Sequence, residues 1–309
     1  MRIVVWAVVV AVAAGGIVCG MHVLRARIVE DQYRGPQGRA TVRLVRVPHW
    51  MPESLARLIA SDVTPPGASL ADRHLARKVH DIAQANPWVR RIGRVHVHPP
   101  TGAAAGVVEA DLEFRRPFAR VRCGSRFLCV DAEGCRLPVN QVPMWVVTVR
   151  DSSSGRTRQV CFLSRGEAPA SWRPALQRIH YVVIDGVRAT PPPPGWLWKS
   201  EDLQAGLCLV DLVSRRPYYA QITVVDVRNY QRRISRNEPA LRMFAQIGRG
   251  PATDIRFGRF PAPGGGDYVV SPQRKISYLD EYAGDHGGRL AGINSYLDLR
   301  FDELHVSIH

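Results

Sequence analysis

Apolar and polar residues alternate with a period of two at several places along the chain. Each such run predicts a strand with one buried and one wet face. The clearest is Val108, Ala110, Leu112 and Phe114, which point one way while Glu109, Asp111 and Glu113 point the other. Just before it, Val95 and Val97 alternate with Arg94, His96 and His98. The loop Pro99 to Gly106 joins the two runs into a hairpin. A shorter strand pattern covers Thr41 to Val47, with Val42 and Leu44 alike. A third strand of the hairpin unit is expected after Pro117, closed by a turn at Asp131-Ala132-Glu133-Gly134.

Helical spacing fills the interval between the strands. Pro52-Glu53 opens a short helix with Leu55, Leu58 and Ile59 on one stripe. Thr64-Pro65-Pro66-Gly67 breaks it. Ser69 is expected to cap a second helix, with Asp72 three residues on as a capping box. Its core stripe is Leu75, Val79 and Ile82, and it ends at Asn86-Pro87, because a residue before proline is pushed out of the helical region. The order strand, helix, helix, strand, strand over residues 40–138 predicts an α+β domain.

Residues 139–309 read as a second, mixed β-rich domain with two helices. Gln141 to Val149 is a strand pattern, and Asp151 to Arg158 a polar break. Pro191 to Pro194 is a stiff spacer. Ser200 is expected to cap an apolar helix through Val213. Ala220 to Val227 and Ile255 to Phe260 are further strands, followed by a glycine-rich stretch from Pro261 to Gly266. Ser271-Pro272 starts a second helix, with Ile276, Leu279 and Tyr282 inward. Tyr296 to Phe301 is a strand pattern with Leu297, Leu299 and Phe301 on one side. After Asp302-Glu303, Leu304, Val306 and Ile308 alternate with His305, Ser307 and His309. A strand at a chain end is often a sheet edge, with unpaired backbone donors and acceptors. Such an edge can take another chain's strand.

The N-terminus has another character. Ile3 to Leu24 is almost wholly apolar and bounded by Arg2, Arg25 and Arg27. A run of about 20 residues is long enough to span a bilayer as a helix. A cleaved signal peptide is the competing reading, with Ala11-Val12-Ala13 as a cleavage site, but the apolar run continues past it. The expected layout is a cytoplasmic end (1–2), a transmembrane helix (3–24) and a juxtamembrane linker (25–39) ahead of the two domains.

Charge narrows the partners. Among 309 residues the formal net charge is +15, and Lys78, Lys199 and Lys275 are the only lysines, so the positive charge is almost all arginine. Arginine forks suit phosphate and carboxylate, which admits nucleic acid, anionic lipid or an acidic partner. No Lys/Arg-rich block or RNA-binding aromatic signature is present, which argues against nucleic acid.

Three short motifs carry a resemblance. They are Asn86-Pro87-Trp88-Val89, then Arg115-Arg116-Pro117-Phe118-Ala119, then Val130-Asp131-Ala132-Glu133-Gly134-Cys135-Arg136-Leu137. In this order, behind an apolar N-terminal segment, they resemble the POTRA domain of the FtsQ/DivIB family of bacterial division proteins. Tyr181 to Gly186 is similar to the family's entry into its second domain. Tyr296-Leu297-Asp298-Leu299-Arg300-Phe301 is similar to its terminal Asp-Leu-Arg-Tyr segment, with Phe301 in place of tyrosine. The resemblance implies a non-catalytic scaffold of the division complex in the cell inner membrane. The N-terminus would be cytoplasmic and both domains extracytoplasmic. It implies FtsB/FtsL-like single-pass proteins as partners, docking on Phe301, Glu303, Leu304, His305, Val306 and Ser307. It also implies a recruitment surface on the first domain, with Arg73 and Arg77 as exposed candidates. Two other functions stay open: an envelope module that handles exported proteins, and an anchored envelope hydrolase.

Other residues invite chemistry. His96 and His98 share one strand face, as a metal pair would, but the acidic row Glu109, Asp111 and Glu113 opposite explains them by cross-strand pairing. With no third ligand placed, no metal is expected. Cys123, Cys129, Cys135, Cys161 and Cys208 lack paired C-x-x-C spacing. In an oxidising compartment some could bridge, and an odd number leaves at least one unpaired. There is no G-x-S-x-G, no G-K-[ST] phosphate loop and no H-E-x-x-H, so neither catalysis, a cofactor nor a small-molecule substrate is expected.

Overall fold

In the computed structural model the described residues are 39–98, 106–150, 155–261 and 269–307, with Gly16, Gly20, Met21 and Val23. The chain divides into two compact units. One is formed by residues 1–48 with 56–114, the other by residues 49–55 with 115–309.

The first unit holds strands β1 (Thr41–Val45), β2 (Val89–His98) and β3 (Val107–Phe114) in the order β1-β3-β2. The central β3 runs parallel to β1 and antiparallel to β2. Its alternation is what burial demands: Val108, Ala110, Leu112 and Phe114 are buried, and the acids between them are half-exposed. Helix α1 (Glu53–Asp62) and helix α2 (Leu75–Ala85) come between β1 and β2. Leu75, Val79 and Ala83 form the buried stripe of α2.

This helix starts later than its sequence suggests. Ser69 Oγ accepts from Ala71 N at 3.3 Å, and Asp72 Oδ1 accepts from His74 N at 2.8 Å. Both side chains therefore hold turns ahead of the helix. His74 stands at the N-cap position and makes no side-chain cap.

The second unit is built on a nine-stranded sheet. Its strands are β4 (Ala119–Cys123), β5 (Arg126–Val130), β6 (Arg136–Leu137), β10 (Val183–Asp185), β11 (Ile222–Asp226), β12 (Leu241–Ala245), β13 (Thr253–Gly258), β14 (Tyr296–Asp298) and β15 (His305–Val306). They lie in the order β15-β14-β13-β12-β11-β10-β4-β5-β6. A separate small sheet has the order β8-β7-β9, from β7 (Trp145–Arg150), β8 (Thr157–Phe162) and β9 (Gln177–Arg178). Helix α3 (Glu201–Ser214) links the parallel neighbours β10 and β11, and helix α4 (Pro272–Asp285) links the parallel neighbours β13 and β14.

Both helices share one core with the large sheet. From α3 come Leu203, Leu207, Leu209 and Val210; from α4 come Ile276, Leu279 and Tyr282; they join Val121, Ile184, Val225, Met243, Ile255 and Leu297. Each fully buried aliphatic side chain here contributes about 1.5–3 kcal/mol. Ser271 caps α4 by accepting from Arg274 N at 3.2 Å. Ser200 stands at the N-cap of α3 but makes no cap bond to the helix; its hydroxyl donates to Asp202, whose Oδ1 takes Leu203 N at 2.9 Å.

The expected α+β class with an N-terminal transmembrane helix is corrected by these features. Helices that cross over between parallel strands make the fold a mixed α/β one, since parallel neighbours need such crossovers. No helix among the described residues is long and apolar enough to cross a membrane. The expected span over residues 3–24 falls almost wholly outside the described residues. The strands after Pro117, expected to complete the first domain, pair instead in the nine-stranded sheet, where β4 runs parallel to β10.

Candidate functional site

One end of the nine-stranded sheet is β15, the other β6. Strand β15 pairs antiparallel with β14, Leu297 opposite Val306 and Asp298 opposite His305. Ser307 N donates to Tyr296 O at 3.3 Å. By the alternation of an antiparallel ladder, the N–H and C=O of Val306 point the other way, toward the outer edge. No strand covers that edge among the described residues.

The residues expected to bind a partner take up different positions. His305 and Val306 are exposed on β15 itself. Leu304 is half-buried and packs against the core. Ser307 is buried: its hydroxyl accepts from Ser295 N at 2.8 Å and its carbonyl accepts from Asn294 Nδ2 at 2.7 Å, so it anchors the strand. Glu303 is exposed in the bend before β15.

Phe301 is not a strand residue. The strand expected to reach it stops at Asp298, and Phe301 stands in the following bend at 47% exposure. Its ring lies 4.7 Å from the His305 ring, and the Arg300 guanidinium is 5.6 Å from its centre. The cause of the early stop is Asp298. Its carboxylate takes Arg300 N at 3.2 Å, Arg300 Nε at 2.8 Å and Arg300 Nη2 at 2.7 Å, which turns the chain back on itself. That carboxylate also holds the Arg300 guanidinium above its ordinary pKa.

On the sheet face beside this edge the charges interlock. Arg256 lies 4.0 Å over the Tyr296 ring, donates to Asp254 at 3.2 Å and approaches Asp298 at 3.8 Å. The exposed apolar and aromatic groups of the edge are thus framed by paired charges.

Elsewhere, Arg73 is exposed in the turn before α2, and Arg77 is exposed on α2. His96 and His98 are exposed on β2, with rings 6.4 Å apart, and His98 Nε2 lies 2.9 Å from Glu109 Oε2. Among the described residues no group of three His, Cys, Asp or Glu side chains could hold a metal ion. All five cysteines outside the apolar N-terminal run are free thiols. Burial pushes Cys129 up to about 12 and Cys135 up to about 11, so both stay protonated and weakly nucleophilic at neutral pH.

One group escaped the sequence reading. Lys275 is buried on α4 at 1% exposure, donates to Arg259 O at 3.0 Å and lies 4.4 Å from the centre of the Phe257 ring. Its signal was present: position 275 falls one turn before Leu279, on the apolar stripe of the helix, in a chain with few lysines.

No protein-family model matches the chain, and no curated protein matches it either.

Proposed function

We propose that the chain is a non-catalytic scaffold of the bacterial division complex, working by protein–protein contacts on the extracytoplasmic side of the inner membrane. Its partners are small single-pass proteins similar to FtsB and FtsL. One of them adds an extended segment to the outer edge of β15. Backbone bonds at Val306 supply affinity, and the flanking side chains of Phe301, Glu303 and His305 supply selectivity. The observation that carries this reading is β15 itself, the outermost strand of its sheet, with two exposed residues and an open backbone edge. The resemblance in the quoted motifs supplies the class of partner.

The test is affinity capture from detergent-solubilised envelopes of the source cells, with the full chain and with Val306→Pro. Proline removes the outward N–H and no ladder bond to β14, so it is tolerated at an edge. Truncation before β14 would be uninformative, because Leu297 and Leu299 are fully buried. The reading expects small single-pass coiled-coil proteins with the native chain and their loss with the variant. Equal recovery by both chains would sink it.

A further inference from the structure

A cleft of about 130 Å³ lies on the second unit, lined by Arg232, Arg236, Arg259, Lys275 and Arg300. That is well under the roughly 300–1,000 Å³ of pockets that enclose drug-sized ligands. Among the described lining residues Glu238 is the one carboxylate, and it is ion-paired to Arg242. The Arg232 and Arg236 guanidinium groups have no hydrogen-bond or ion-pair partner among the described residues. Arg300 is neutralised by Asp298 on one side and donates Nη1 to Asn237 O at 3.2 Å.

Three features show that the cleft is built rather than incidental. Gln231 and Arg232 both adopt left-handed backbone conformations, with φ of 57° and 59°. Non-glycine residues are held there only at a cost in backbone strain, and such residues cluster at ligand clamps. Gly258, with φ of 81°, leaves room for the close approach of Arg300: a Cβ there would stand 2.9 Å from Arg300 Cγ. Lys275 itself has three N–H donors. One bonds Arg259 O and the ammonium faces the Phe257 ring, which leaves donor capacity in a buried cation with no carboxylate bonded to it among the described residues.

We propose that this cleft binds a small tetrahedral oxyanion of the phosphate class, as free phosphate or as the terminal phosphate of a lipid headgroup. Forked guanidinium donors match such oxygens two at a time, and the lysine adds a point charge at the floor. The anion relieves mutual repulsion among the cations. Burial first, then the neighbouring Arg259 and Arg300, lower the Lys275 pKa to about 8, while Asp298 raises it.

The experiment is calorimetric titration of inorganic phosphate into the full chain at fixed ionic strength, beside co-sedimentation with phosphatidic acid and phosphatidylcholine vesicles. Arg232→Gln and Arg236→Gln are the variants, since both side chains are exposed and neither contributes to the core. Saturable uptake of free phosphate, weakened about tenfold by each variant, supports the site with free anion as its source. Retention on phosphatidic acid vesicles alone, lost in both variants, supports it with the headgroup as source. Absence of saturable uptake in both arms together, or uptake unchanged in both variants, overturns it.

Discussion

The Arg233 guanidinium donates to the Asp202 carboxylate at 2.7 Å, with side-chain exposures of only 16% and 6%. The same guanidinium donates to the carbonyls of Gly186, Val227 and Arg228, so one side chain ties the start of α3 to the ends of β10 and β11. Removing it takes the charged donor from a buried carboxylate that keeps only Ser200 Oγ and the N–H groups of Arg188 and Leu203, and takes one donor from each of three carbonyls. Arg233→Ala should cost about 3–5 kcal/mol in urea unfolding, the range for breaking a buried pair from one side. The double variant with Asp202→Asn should recover part of that loss. A single-variant cost under about 1 kcal/mol would mean that water replaces the guanidinium.

Lys275 makes stability depend on pH in the alkaline range. Burial, then Arg259 and Arg300, lower its pKa to about 8 from an ordinary 10.5, while Asp298 raises it. Between about pH 8 and 10.5 the unfolded chain therefore holds a proton that the folded chain lacks. Stability from this group rises with pH across that window, by up to about 3 kcal/mol. Buried cysteines and tyrosines act in the opposite direction there, so the wild type alone is ambiguous. The difference from Lys275→Met isolates the lysine: the stability of the native chain relative to the variant should rise as pH goes from 7.5 to 9.5. A gap that does not change with pH would show that Lys275 stays charged.

Elements whose signal is local were legible in the sequence. The alternation in β3 and the apolar stripe of α4 each follow from one period, and burial follows the period residue by residue. Readings failed where a short polar side chain had two uses. Ser69 and Asp72 have the spacing of a capping box, yet both bond the backbone of turns. Asp298 and Arg300 sit at strand spacing, yet their mutual bonds end the strand before Phe301. The fold class failed on pairing, because nothing in a single strand's pattern says whether its neighbour is parallel. The edge strand β15 was legible as alternation at the chain end, although Ser307 proves to be an anchor and Phe301 a bend residue. The oxyanion cleft was not legible, because its cations come from separate loops and a helix that share no period.

Gly186 tests how tightly the turn after β10 is built. Its φ is 93°, and a Cβ there would stand 2.2 Å from Arg228 Cγ and 2.7 Å from Arg228 N. Part of that clash is with backbone, so a rotamer change cannot relieve it. Gly186→Ala should destabilise the chain well beyond the roughly 1–2 kcal/mol that a left-handed alanine costs without a clash. Gly124→Ala is the matched control, since Gly124 has φ of 59° and open space around it. Equal losses for the two variants would show that the Arg228 segment moves aside freely.

Phe301 and Leu299 separate contact from core. Both were expected on one strand face, but Leu299 is fully buried and Phe301 is 47% exposed. Leu299→Ala should cost about 2–5 kcal/mol, because it opens a cavity in the core below β14. Phe301→Glu removes an exposed ring that lies against His305 and Arg300, and the new carboxylate stands beside that arginine. Its effect on unfolding should stay within about 0.5 kcal/mol, as for surface substitutions away from special features. If the edge of β15 is the docking strand, the same variant should weaken partner capture while the melting curve is unchanged. Loss of both folding and capture would place Phe301 in the structural core. Loss of neither would leave docking to the backbone of Val306 alone.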